Sequence, residues 1–131
     1  MKCQIKNFAL ILALASLAGC GTTEKAMQEK GVTPLSGTEL RELLVGSTMN
    51  YRNTNGIVST VNFRADGSAA VSWASGSDIG TWRIAGNTFC SKWNEVRSGQ
   101  ERCSRSYRDG EKYVTFESES GNRLGEYTVS R

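Results

Sequence analysis

Cys90 and Cys103 are the residues whose types and spacing most clearly predict chemistry. A pair of cysteines can form a disulfide, hold a metal ion or supply a reactive thiol. The chain of 131 residues contains no histidine, which removes a leading zinc ligand. An export signal, described below, places the chain where disulfides persist. We therefore predict a Cys90–Cys103 disulfide, no metal site and no cofactor.

The predicted disulfide would close a loop of about 14 residues and contribute roughly 3 kcal/mol in the chain-entropy model. The nearest turn signal, Ser98-Gly99, does not lie midway between the two cysteines. We therefore expect a bulge or a longer loop between the strands that carry them.

No group of residues matches a catalytic arrangement. A serine nucleophile needs a base, and the chain has neither a histidine nor a helical Ser-x-x-Lys motif. Asp66, Asp78 and Asp109 lie at predicted turns, where aspartate is a common turn former. Glu95 and Glu101 flank the longest predicted loop, and a glycosidase pair there is the alternative. We predict that the protein is not an enzyme and assign no catalytic residue.

The first twenty residues have the pattern of a bacterial lipoprotein signal peptide. Lys2 and Lys6 precede an apolar run over residues 8–18, which is too short to span a bilayer because spanning needs roughly 20 residues. The run ends in Leu17-Ala18-Gly19-Cys20, which resembles a lipobox. The alternative is a buried N-terminal helix with an incidental cysteine.

Cys20 is therefore the predicted lipidation site and the first residue of the mature chain. Removal of the signal peptide, residues 1–19, lowers the formal charge from +3 to +1, which gives no argument for nucleic-acid binding. By resemblance to the usual sorting rule for lipoproteins, glycine rather than aspartate at position 21 favours the outer membrane over retention at the inner one. Acyl chains such as palmitate anchor a protein without spanning the bilayer. We expect a lipid-anchored domain in the periplasm or at the cell surface.

Two segments follow the lipidated cysteine. Residues 20–34 are polar, with few apolar positions and no clear period, and we interpret them as a lipidated cysteine followed by a tether. Residues 35–131 are predicted to form one domain. A capping box at Ser36 and Glu39 begins a short helix, whose leucines we expect to cover one open end of a sheet structure.

From residue 48 onward the pattern has a period of two, with turn signals every ten to twelve residues. Several of these signals are Asn-Gly, Asp-Gly or Gly-Asn, which tight hairpin turns require. Seven turns predict eight strands, near 48–54, 57–64, 68–75, 78–85, 88–96, 101–108, 111–118 and 123–130.

Closure of such a meander removes both sheet edges. We predict an all-β fold of about eight antiparallel strands that forms a small barrel, lipocalin-like in outline. An open two-sheet roll is the alternative. Eight strands leave an interior that side chains fill or that holds one small ligand, and three tryptophans favour a mostly filled interior. The predicted core consists of inward-facing side chains and contains Trp73, Trp82, Phe89, Trp93 and Phe116.

Charged and aromatic residues are densest between Lys92 and Lys112. Arginine and aromatic side chains are enriched in contact hot spots, so this segment is a candidate binding surface. The alternative is a solvated strand face with balanced charge. The candidate surface contains Arg97, Arg102, Arg105, Tyr107 and Arg108.

The middle of the chain contains, in order, Gly80-Thr81-Trp82, the cysteines Cys90 and Cys103, and Asp109-Gly110. Over roughly residues 46–118 it resembles a small family of exported bacterial proteins. The resemblance implies an exported all-β domain and no particular activity. Gly-x-Trp is also similar to a motif of lipocalins and avidins, where it lies in the first strand; here it lies in the fourth.

These observations together predict a non-enzymatic outer-membrane lipoprotein, most simply a protein-binding or envelope-supporting module. Its expected partners are the membrane, through Cys20, and another envelope or host protein. One alternative is an inhibitor of a periplasmic or host hydrolase, by analogy with small lipid-anchored barrels that inhibit proteases or lysozymes. The other is a small-ligand-binding barrel.

Overall fold

The structure, a computed structural model, describes residues 22–131 and contains a closed antiparallel barrel of eight strands. Each strand pairs with its sequence neighbours, and β1 also pairs with β8, which closes the barrel. The predicted barrel is therefore confirmed, and the open roll is excluded. The strands are β1 Thr48–Asn53, β2 Val58–Phe63, β3 Ser68–Trp73, β4 Gly76–Ala85, β5 Thr88–Trp93, β6 Arg102–Asp109, β7 Lys112–Glu117 and β8 Arg123–Ser130.

Tight turns join most of the strands, as the glycine pattern predicts. Gly67 and Gly86, for example, have φ values of 90° and 61°, which a residue without Cβ adopts readily. The β2–β3, β4–β5 and β6–β7 turns lie at one end of the barrel. The β1–β2, β3–β4, β5–β6 and β7–β8 connections lie at the other end, which is called the open end below.

A short helix, α2 (Gly37–Leu44), covers the first of these ends, called the closed end below. Its N-terminus has the predicted capping box, with reciprocal hydrogen bonds between Ser36 and Glu39. Leu40 and Leu44 are 0% and 2% exposed in the main core. A two-turn helix is stable only when docked, and these leucines supply the docking.

A second helix, α1 (Glu24–Glu29), lies within the stretch interpreted as a tether. The Thr23 side chain caps its N-terminus by accepting a hydrogen bond from the Ala26 backbone. Met27 is only 2% exposed, and the partly buried Val32 packs against the same cluster. The tether interpretation is therefore wrong over this part: the segment packs on the barrel wall.

The buried residues form two layers, one inside the barrel and one outside it. The inner cluster contains Trp82, Phe89 and Trp93, as predicted. Phe116 is fully buried but belongs to the outer cluster, under α1, so its predicted place inside the barrel is wrong. The other members of the outer cluster are Met27, Tyr107 and Val114.

Trp73 also differs from its predicted place in the core. It is only partly buried, because it lies at the end of β3 that reaches the open end of the barrel. Its indole Nε1 donates to the Ser75 hydroxyl at 3.1 Å. The side chain is therefore part of the rim, and the core proper lies nearer α2.

The predicted Cys90–Cys103 disulfide is present. The two residues lie directly opposite each other in β5 and β6, and a long connection with a 3₁₀ turn at Val96–Gly99 joins the strands. The expected longer loop is therefore present, and it accommodates the off-centre position of Ser98-Gly99 between the two cysteines. Cys90 points to the outer face of the barrel wall, whereas its neighbour Ser91 lines the interior.

Replacement of both Cys90 and Cys103 by alanine is expected to lower the free energy of unfolding by roughly 3 kcal/mol, because the bridge closes a loop in the unfolded chain. Urea denaturation of the oxidised wild type and the double variant measures this difference. A difference below about 0.5 kcal/mol, the range of ordinary surface substitutions, would contradict it.

Candidate functional site

A cavity of about 930 Å³ opens into the barrel at its open end. This volume lies within the usual range of small-molecule sites, which runs from roughly 300 to 1,000 Å³. The interior is therefore filled only near the closed end, and the expectation of a mostly filled barrel is wrong. Small inward residues on β6 and β7 account for the space; they are Ser104, Ser106 and Thr115.

The floor of the cavity is apolar and rigidly packed. Phe89 stacks on Trp82 with ring centroids 5.4 Å apart and meets Phe63 edge to face at 4.6 Å. Phe63 and Phe89 therefore belong both to the core and to the lining of the cavity. These are arrangements that aromatic rings prefer, so the floor is a well-packed apolar surface. The other apolar residues that line the lower cavity include Leu44, Met49, Val61, Val71 and Trp93.

Gly125 allows the Tyr51 ring to lie flat against the wall. A Cβ atom at this position would lie 2.7 Å from the Tyr51 hydroxyl and 2.3 Å from the Arg52 carbonyl oxygen, so only glycine fits. Tyr51 lines the cavity, and its ring lies over Gly125 on the inner wall. Glycine on β8 thus positions an aromatic side chain of β1.

Hydroxyl groups form a polar belt at middle depth. The Tyr127 hydroxyl donates to Ser106 Oγ at 2.8 Å, and both residues are buried. Burial strongly raises the pKa of Tyr127, so the phenol stays neutral. Thr115 Oγ1 donates to the Gly125 carbonyl at 3.3 Å. Within the described residues the Ser106 hydroxyl accepts from the Tyr127 phenol and so serves as a hydrogen-bonding group of the belt.

Three arginines, called the mouth arginines below, line the cavity near its opening: Arg97, Arg102 and Arg123. Burial raises the pKa of the Tyr51 phenol, and the charges of all three arginines act in the opposite direction. All three positive charges therefore act on this phenol from around the same cavity. Among residues 22–131, no aspartate or glutamate lines the cavity.

Arg97 holds an uncommon backbone conformation. Its φ of 56° and that of Ser98, 54°, both lie in the left-handed region, which disfavours residues other than glycine. Asp78 fixes the preceding residues, since its carboxylate accepts from the backbone N–H groups of Glu95 and Val96, both at 2.9 Å. These bonds, that of Val96 first, hold the pKa of Asp78 below its usual value.

The Arg97 side chain is partly buried without a compensating acid. Its Nη2 donates to the Ser91 carbonyl oxygen at 2.9 Å. Its buried Nε has no hydrogen-bond partner among the described residues, and no acidic side chain there forms an ion pair with it. Burial lowers the pKa of this guanidinium, and the charge of Arg102 lowers it further. The site therefore contains a poorly compensated positive charge.

The other two mouth arginines have only loose acidic partners. Arg102 Nε lies 3.6 Å from Glu117, and Arg123 Nη2 lies 3.5 Å from Glu126. Glu126 is also 2.6 Å from Lys112 Nζ, so its charge is shared. The buried Nε of Arg123, like that of Arg97, has no hydrogen-bond partner within residues 22–131.

The five residues of the predicted binding surface do not form one surface. Arg97 and Arg102 face the cavity, whereas Arg105 and Tyr107 lie on the outer wall under α1. Arg108 is exposed, with its guanidinium 5.1 Å from the Tyr113 ring centroid. Side chains alternate along β6, so Arg102 faces the cavity whereas Arg105 and Tyr107 face outward. Sequence reasoning missed Arg123, although its spacing from Tyr127 on β8 puts both on the inner face.

Arg105 and Tyr107 both bind Glu24 at the start of α1. Arg105 donates to both carboxylate oxygens, at 2.6 and 2.9 Å, and the Tyr107 hydroxyl donates at 2.8 Å. The side chains of Glu24 and Arg105 are 12% and 22% exposed. Arg105, acting first through these bonds, lowers the pKa of Glu24 below 4.5. This cluster docks α1 on the barrel.

The Glu24 cluster predicts a pH-dependent contribution to stability. Because the pKa of Glu24 is lower in the fold, its ionised form favours folding; this contribution is complete above pH 4.5 and disappears as pH falls through the folded-state pKa. We expect the stability difference between wild type and Glu24→Gln to shrink toward pH 3. Urea denaturation over pH 3–7 measures it, and a difference that does not change with pH would contradict the prediction.

Cys90, Cys103 and Glu101 bring potential metal-ligand atoms within 4.8 Å of one another. The two sulfur atoms are joined in the disulfide, so they are not thiolate ligands. Glu101 forms an ion pair with Arg83, at 2.6 Å. The cluster is therefore explained by the disulfide and a neighbouring ion pair.

Comparison of the chain with protein-family models, curated proteins and solved structures finds no match. The resemblance to a small exported family therefore stays a prediction. The lipobox, Cys20 and the signal peptide lie outside the described residues. Within residues 22–131, no helix has the length and hydropathy needed to cross a bilayer.

Proposed function

We propose that this protein is a lipid-anchored, non-enzymatic binding protein of the bacterial envelope, whose cavity holds a small molecule with an apolar body and one anionic group. The observation that carries this proposal is the pairing of an apolar floor with three arginines at the mouth. An apolar pocket with a few convergent polar groups is the usual form of a small-molecule site.

The anionic group follows from the charge at the mouth. Burial of a cation without a paired acid is unfavourable, and left-handed backbone in two consecutive residues adds to that cost. Such features persist where the surrounding structure enforces them, and here Asp78 fixes the loop. A bound carboxylate or phosphate would accept hydrogen bonds from the Arg97 guanidinium and compensate its charge.

A matched series of probes tests the proposal: dodecanoate, dodecan-1-ol and dodecylamine share a chain length and differ in the charge of the head group. Calorimetric titration of the purified protein at neutral pH and low salt is expected to show tightest binding of dodecanoate, with dodecylamine weakest. Binding of none of the three would contradict a ligand cavity. Equal binding of the acid and the alcohol would contradict the anionic group.

The membrane anchor is tested separately in the producing cell. Labelled palmitate is expected to enter the wild-type protein and not the Cys20→Ser variant, because the lipobox cysteine is the acylated residue. Labelling that is unchanged in the variant would overturn the lipoprotein part of the proposal. Fractionation of the envelope then tests the outer-membrane location, which recovery in the inner membrane would contradict.

A further inference from the structure

We propose that the open end of the barrel faces the membrane that holds Cys20, so that the cavity takes its anionic ligand from the lipid phase. This inference rests on the proposed function and on lipidation of Cys20. It adds an orientation and a source of ligand: a single-chain anionic lipid that exchanges directly between bilayer and cavity.

The first observation is where the N-terminal segment meets the barrel. Glu24 lies beside the β7–β8 turn, since a Cβ atom on Gly121 would be 3.3 Å from its carboxylate. Arg105, which binds Glu24, also donates to the Ser118 carbonyl of this turn at 3.0 Å. The β7–β8 turn belongs to the open end. The described chain therefore begins at the same end as the cavity mouth.

The second observation is the short reach to the anchor. Cys20 precedes Glu24 by four residues, which span at most about 14 Å even when fully extended. Strand β8 has eight residues and extends about 26 Å, or about 20 Å along the barrel axis at a tilt near 40°. An anchor within 14 Å of the β7–β8 turn holds the open end near the lipid and the closed end away from it.

The third observation is the position of the exposed apolar side chains. Within residues 22–131, the most exposed large ones are Ile57, Val58 and Ile79, at 53%, 54% and 63%. All three lie toward the open end: Ile57 in the β1–β2 connection, Val58 at the start of β2 and Ile79 in the first half of β4. Apolar side chains in this position insert into the boundary between head groups and acyl chains.

The β1–β2 connection also lies next to the anchored side of the barrel. The Thr54 backbone N–H donates to the Leu124 carbonyl oxygen at 3.2 Å, which joins the connection to the start of β8, beside the β7–β8 turn. Residues 53–59 contain no charged side chain. An uncharged lip that exposes Ile57 and Val58 therefore stands beside the N-terminal segment. The mouth arginines line the same opening, where anionic head groups are attracted.

Two alanines at opposite ends of β3 provide a matched test. Ala65 is exposed in the turn before this strand, at the closed end, and Ala74 is exposed in the turn after it, at the open end. The structure has no free cysteine in the described residues, so Ala65→Cys or Ala74→Cys gives one labelling site there. The mature lipidated protein is labelled with a fluorophore and reconstituted in phosphatidylethanolamine–phosphatidylglycerol vesicles that contain a spin-labelled quencher lipid.

We expect a larger loss of fluorescence for the label at Ala74→Cys than for the label at Ala65→Cys. Equal loss at both positions, greater loss at Ala65→Cys, or no loss at either would overturn the proposed orientation. The measurement needs no ligand, so its failure leaves the binding result with dodecanoate unaffected. Conversely, a protein that binds none of the three probes fails the proposed function whatever its orientation.

Discussion

Replacement of Arg97 by glutamine is expected to weaken dodecanoate binding roughly 10- to 100-fold, the range for loss of a hydrogen bond to a charged group. Arg97 is the mouth arginine without an acidic partner in the described chain, so its charge is the most available to a ligand. The same change is expected to leave the affinity for dodecan-1-ol within about twofold of the wild-type value, because the neutral hydroxyl forms no charge-assisted hydrogen bond with Arg97. Calorimetric titration with both probes measures the two effects.

Arg64→Gln is the matched control for this substitution. Arg64 is exposed at the closed end and loses the same charge, so it reports the effect of net charge alone. Arg97→Lys keeps the positive charge but lacks the planar guanidinium that can donate two parallel hydrogen bonds to a carboxylate. It is expected to lose less affinity than Arg97→Gln. If Arg97→Gln and Arg64→Gln bind dodecanoate equally well, Arg97 does not contact the anion.

The second large effect concerns the outer cluster beneath α1. Phe116→Ala is expected to lower the free energy of unfolding by about 3–5 kcal/mol, and Met27→Ala by about 2–5 kcal/mol, because both side chains are buried in that cluster. Shared packing predicts that the two losses are not additive in the double variant. Urea denaturation of the four proteins gives this double-mutant cycle.

Glu29→Ala is the control for Met27→Ala, since it changes an exposed side chain of the same helix. It is expected to alter stability by less than about 0.5 kcal/mol. A Met27→Ala protein as stable as wild type, with additive effects in the cycle, would mean that α1 is a free tether after all.

The turns and strands were predictable because their signals are local. Asn-Gly and Asp-Gly turns need positive φ, and their even spacing determines how many strands a short chain can form. The disulfide was predictable for a different reason: the chain has no histidine and carries a predicted export signal, and both argue against a metal site. Closure of the barrel follows because an open meander would leave two unpaired edges.

The face on which Phe116 lies was not predictable from alternation. Val114 and Phe116 share one face of β7, but Tyr113 on the other face is buried as well. Which face is inside depends on α1, and α1 has one fully buried apolar anchor, Met27, in a polar segment. A helix of six residues with one such anchor has no periodic signal of its own.

The cavity was missed for a related reason. Three tryptophans suggested a filled interior, but Trp73 lies at the rim, and Trp82 packs near the closed end. The available signal was on β6, where Ser104 and Ser106 are small and face inward. Side-chain volume at inward positions, and not the number of aromatic residues, determines how much of a barrel is filled.

A crystal structure of the protein with bound dodecanoate tests the central claim most directly. We predict that the carboxylate lies at the mouth, within hydrogen-bonding distance of the Arg97 guanidinium, and that the alkyl chain extends toward Phe89 and Trp93. A barrel interior closed by side chains, or a carboxylate bound away from the mouth arginines, would contradict the account.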